Sequence, residues 1–94
     1  MEKKLFLTKY NDPGHGWVEI GMATLRYLGI ANKITHYSYR KGPVAYLEED
    51  CDQTRLIQAA EKKGIEIELE VVHTNHDSHI RNFLPYWCEG GVLA

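Results

Sequence analysis

Ile65-Glu66-Ile67-Glu68-Leu69-Glu70-Val71 alternates apolar and acidic residues without a break. Successive strand side chains point to opposite faces, so this stretch reads as a β-strand with one face on a core and the other in water. Gly64 precedes it and stops a helix predicted from Gln53 to Lys63, in which Leu56, Ile57 and Ala60 form the buried stripe. Asp50 or Asp52 is placed to cap that helix, and Lys62 and Lys63 suit its negative end.

Toward the N-terminus, Lys3 to Tyr10 reads as a strand with Leu5 and Leu7 on one face and Phe6 and Thr8 on the other. Asn11-Asp12-Pro13-Gly14 is a turn, and Gly14-His15-Gly16, whose glycines also permit unusual backbone angles or close approach of another chain or ligand, reads foremost as a flexible hairpin loop. It leads into a short strand, Trp17 to Ile20, with Val18 and Ile20 facing inward. Met22 to Leu28 is a helix ended by Gly29. Ile34 to Tyr39 and Val44 to Glu48 flank Arg40-Lys41-Gly42-Pro43 as a β-hairpin, with Pro43 confined to the loop because it donates no ladder hydrogen bond. Phe83 to Trp87 reads as a packed irregular tail. The order β-β-α-β-β-α-β plus tail implies an α+β fold: a mostly antiparallel sheet with two helices on one face, in a single domain spanning residues 1–94.

Composition narrows the function classes. The 94 residues are 44% hydrophobic and 26% charged, as in ordinary globular proteins. A net charge of -2 argues against a nonspecific nucleic-acid binder, which needs a basic excess. No apolar run approaches the roughly 20 residues that span a bilayer. Cys51 and Cys88 lie in unrelated contexts and no signal peptide is evident, so free thiols in a reduced cytoplasm are expected.

The residues raise four chemistries. His73, His76 and His79 raise metal binding, but without paired cysteines or a helical His-Glu-x-x-His they read as loop histidines, and neither a metal nor another cofactor is expected. A nucleophile is opposed by the four acidic neighbours of Cys51, which suppress its thiolate, and neither serine sits in a recognisable elbow. The acidic groups Glu48-Glu49-Asp50-Asp52 and Glu66, Glu68 and Glu70 resemble a DNA-mimicking face, yet capping and strand exposure account for them. The fourth is a recognition surface. Arg40, Lys41 and Arg81 suit phosphate or carboxylate, Tyr37, Tyr39 and Trp17 suit ring stacking, and His15, His73, Asn75 and His79 suit adaptable hydrogen bonds.

Gly14-His15-Gly16-Trp17, Leu28-Gly29-Ile30, Ile34 to Tyr39, Tyr46 to Asp52 and His79 to Asn82, in that order and spacing, resemble a family of short uncharacterised proteins encoded in bacteriophage and prophage genomes. The resemblance implies a context: a viral accessory protein acting against host defences in the host cytoplasm. Combined with the polar-aromatic residues, it leads to the expectation of a non-catalytic homo-oligomer that sequesters a nucleotide-derived immune signal. The alternatives are an anti-CRISPR-like inhibitor of a host defence protein and, third, a small enzyme that degrades such a signal.

Overall fold

The alternating strand lies at one edge of the sheet, where half-exposed periodicity belongs. The computed structural model describes residues 3–88. In chain order the elements are β1 (Lys3–Asn11), β2 (Gly16–Gly21), α1 (Met22–Tyr27), β3 (Tyr39–Lys41), β4 (Val44–Glu48), α2 (Asp52–Lys62), β5 (Ile65–His73) and β6 (Leu84–Pro85), with 3-10 turns at Ala31–Lys33 and His79–Asn82. The strands form a six-stranded sheet ordered β5-β1-β2-β4-β3-β6. Neighbours are antiparallel except β1 and β5, which run parallel from Lys3↔Ile65 to Asn11↔His73. The fold is therefore α+β with a mostly antiparallel sheet. Among the described residues, no helix is long and apolar enough to cross a membrane.

One sheet face carries the main core. Val18, Ile20, Ala45 and Leu47 meet Met22 and Leu25 of α1 and Leu56 and Ala59 of α2. Ile65, Ile67 and Leu69 pack against the same cluster, while Glu66, Glu68 and Glu70 face solvent. Full burial of a side chain such as Leu47 or Leu56 contributes about 1.5–3 kcal/mol. Gly29 and Gly64 take φ of 77° and 70°, so each helix ends where a left-handed residue is available.

Four expectations are corrected. Ile34 to Ser38 is not a strand, and only Tyr39–Lys41 pairs with β4, across a two-residue loop at Gly42 and Pro43. The cause is Asp52, which is wholly buried and does not cap α2. It accepts from the Thr35 amide, from Thr35 Oγ1 at 2.7 Å and from Ser38 Oγ. These side-chain bonds bend 35–38 into a turn and outcompete ladder pairing. Ser38 Oγ in turn accepts from the Glu48 amide at 2.9 Å. The residue at the cap position of α2 is Cys51, whose amide donates to Glu48 Oε1 at 2.6 Å.

Within α2, Ala59 joins Leu56 and Ala60 in the buried stripe and Ile57 is only half-buried. The expected irregular tail includes a true edge strand: Leu84 and Pro85 pair with Arg40 and Tyr39. Tyr86 then anchors the chain, its amide donating to Ser38 O at 2.9 Å and its hydroxyl to Ala31 O.

Removing the Asp52 carboxylate strands several buried donors at once. Asp52→Ala is expected to cost about 3 kcal/mol, since hydrogen bonds to a charged group contribute about 1.5–3 kcal/mol and orphaned donors add their desolvation. Urea denaturation checks this; a loss under about 1 kcal/mol would contradict the role given to Asp52.

Candidate functional site

The sheet's second face is covered by the histidine-rich segment, which leaves β5 at one edge and reaches β6 at the other. Ile80 packs with Trp17 and Tyr46, flanked by Tyr10, Tyr39, Val44 and Phe83. Trp17, only 2% exposed, is therefore core on this side, just as Val18 is core on the other.

Asp12 fixes that segment to the first hairpin. Its side chain is fully buried. Oδ1 accepts from the Gly14 and His15 amides, both at 3.0 Å, and from Arg81 Nη2 at 2.8 Å. Oδ2 accepts from the Ser78 amide at 2.9 Å and from Arg81 Nε at 2.6 Å. The Arg81 guanidinium, followed by the three backbone amides, outweighs desolvation and holds the Asp12 carboxyl far below the usual carboxylate range. Ser78 continues the chain of contacts by capping the 3-10 turn, its Oγ accepting from the Ile80 amide.

Gly14-His15-Gly16 is accordingly a close-approach segment and not a flexible loop. A Cβ on Gly14 would meet Arg81 Nη2 at 2.9 Å, and one on Gly16 would meet Asn11 Oδ1 at 2.1 Å. Glycine serves here by its missing side chain, without positive φ.

Around this hub, His15, Trp17, Tyr37, Tyr39, Glu48 and Arg81 line a cleft of about 190 Å³. Five of them are residues the sequence singled out. The Asp52-bonded turn at 35–38 presents Tyr37, which is 63% exposed and stacked on His36 at 4.6 Å. Tyr39 meets the Trp17 ring edge-on at 6.1 Å, and His15 lies 6.1 Å from it on a tilt. Arg81 stands over the Trp17 ring at 5.1 Å. Its Nε and Nη2 are committed to Asp12, but no described residue accepts from Nη1. The end-on fork of Nη1–H and the second Nη2–H is thus open to a further oxyanion.

The remaining candidates are dispersed. Arg40 does not reach solvent beyond its strand end: it is 5% exposed on the helix side, donating to Gly42 O at 2.7 Å and Trp87 O at 2.9 Å, with its guanidinium 4.2 Å from the Trp87 ring. Lys41 and His79 share Phe83, at 5.1 Å and 5.5 Å. His73 ends β5 and Asn75 follows it, both exposed. His76 bonds Thr74 Oγ1 and Asp77 O, and among the described residues no three His, Cys, Asp or Glu side chains gather as metal ligands. Asp12 and Glu48 were not singled out as site residues. The available signal was an Asp opening a turn that runs into Gly-His-Gly, the pattern of a side chain accepting from amides ahead of it.

No protein-family model matches the chain, and neither curated proteins nor solved structures give a match.

Two outcomes test the hub. Arg81→Ala leaves a buried carboxylate without its cation and should cost about 2 kcal/mol, because bonds to charged groups contribute about 1.5–3 kcal/mol. Unchanged thermal stability would refute this. The Asp12 pKa is depressed in the folded state and ordinary in the unfolded one, so its stabilisation is complete above the unfolded value near 4 and is lost as pH falls below it. Wild type should exceed Asp12→Asn in urea midpoint at pH 7, with the gap closing below about pH 4. A gap constant from pH 7 to pH 3 would show that Asp12 is not the titrating group.

Proposed function

We propose that this protein is a non-catalytic binder of a small ligand carrying an aromatic ring and an anionic group, and that the ligand is a nucleotide-derived immune signal sequestered by a phage-type accessory protein. The observation that carries the ligand chemistry is the free fork of Arg81 facing a cleft shared with exposed Tyr37. Arginine held on one side by a buried carboxylate is already oriented, so an anion on its other side binds without ordering a flexible chain. Tyr37 and His15 supply ring faces for a base. The signalling role itself comes from the resemblance to phage-encoded proteins.

Supporting a binder over an enzyme, the reactive groups nearby are poorly tuned for proton transfer at neutral pH. Partial desolvation, then the carboxylates of Glu48, Asp52 and Asp50, push the Cys51 thiol up. Burial, followed by its bond to Glu19, pushes the Tyr46 phenol up to about 12. The cleft's 190 Å³ is below the roughly 300–1,000 Å³ of typical ligand pockets, which favours a homo-oligomer in which a second copy completes the enclosure. A second reading, inhibition of a host defence protein, draws on exposed Leu84 and Trp87 at the β6 end of the chain.

A panel of cyclic dinucleotides and ADP-ribose-derived compounds, mixed with the protein and then released by heating, tests the reading. One compound should be depleted and recovered chemically intact. Tyr37→Ala should keep the fold and weaken that capture about tenfold, the lower end of the roughly 1–3 kcal/mol that base stacking contributes. A cleaved product would make the protein an enzyme. Depletion of nothing, with tight capture of a host protein, would favour the inhibitor.

A further inference from the structure

A larger cleft, about 470 Å³, opens on the helix side of the sheet between the end of α1 and the last turns of α2. Lys33, Arg55, Lys62 and Lys63 line it together with Gln58, and no Asp or Glu and no aromatic side chain does. Four of the chain's eleven Lys and Arg therefore converge on one concavity in a protein of net charge -2.

Lysines near helix C-termini ordinarily offset the terminal carbonyls. Here backbone amides already serve those carbonyls. Lys63 N and Gly64 N donate to Ala60 O and Glu61 O at 3.0 Å, and Leu28, Gly29 and Ile30 amides donate to Thr24, Arg26 and Leu25 carbonyls at 2.9–3.1 Å. The cationic heads are left with little else. Lys33 and Lys62 form no ion pair with a described residue, and Lys63 rests over the Tyr27 ring at 5.0 Å. Arg55 comes only within 4.0 Å of Asp52, whose oxygens Thr35 and Ser38 already occupy. Like charges held in a concave, partly apolar wall focus a positive potential that an anion relieves.

We infer that this cleft binds an oligophosphate: a chain of phosphates met by several cations at once, recognised without ring stacking. It is independent of the Arg81 cleft, which lies on the other face of the sheet and pairs one guanidinium with aromatic rings.

The probe is inorganic tripolyphosphate, titrated at low salt by calorimetry and by amide chemical shifts, with orthophosphate and ATP as parallel arms. Tripolyphosphate should bind at least tenfold tighter than orthophosphate, weaken steeply with salt, and shift amides in 28–33 and 55–63. ATP binding as tightly as tripolyphosphate, with those same shifts, would fit recognition of the phosphate chain alone. Lys62→Gln with Lys63→Gln, and separately Lys33→Gln with Arg55→Gln, should each cost tenfold or more in affinity while far-ultraviolet circular dichroism stays unchanged. Tyr37→Ala should leave this affinity intact. Absence of binding at low salt, amide shifts centred on Arg81, or wild-type affinity in both folded double variants would overturn the inference.

Discussion

The carboxylate of Asp12 is the constraint on which the second face of the sheet depends. A buried carboxylate is costly unless paired and hydrogen-bonded, and this one receives three backbone amides and two guanidinium donors. Those donors come from the first hairpin turn and from a segment more than sixty residues later, so satisfying one side chain closes the molecule. Ile80 is then delivered between Trp17 and Tyr46. Without that delivery the aromatic face of β2 and β4 would lie open to water, and Arg81 would have no fixed orientation.

Asp52 plays a matching part on the helix side. It also is buried and also collects donors from a distant segment, here Thr35 and Ser38. The turn it imposes shortens β3 to Tyr39–Lys41, and Pro85 and Leu84 pair along the outer edge of that short strand. The same turn carries Tyr37 toward the Arg81 cleft. Two carboxylates thus decide where the candidate site lies, although neither lines the cleft. Their burial makes them poor targets for ligand contact and strong determinants of geometry.

The sheet separates two clefts of different lining. On the face covered by the histidine-rich segment, aromatic rings surround a single oriented guanidinium. On the helix side, Lys33, Arg55, Lys62 and Lys63 line a cleft with no aromatic residue in its wall. The outer strand β5 keeps a third character. Glu66 and Glu68 share Lys4 at 3.6 Å and 3.5 Å, and their alternating charge along an open edge discourages pairing with another strand.

Patterns of local origin were legible in the sequence. Period-two alternation located β1, β2 and β5, glycine located both helix ends, and the order of elements gave the α+β class, because each of these reflects backbone preference or one-dimensional periodicity. The misread positions that shape the site involve a polar side chain whose partner is far away in sequence. Asp52 looks like a helix cap until Thr35 and Ser38 are brought to it. Arg40 looks like an anion partner until the chain near Trp87 folds over it. Gly14 looks flexible until Arg81 is laid on it. Half of the singled-out site residues share a cleft because residue type alone favours surfaces rich in Tyr, His and Arg. Which half was settled by tertiary structure, since sequence spacing carries no record of which buried carboxylate will collect which distant donor.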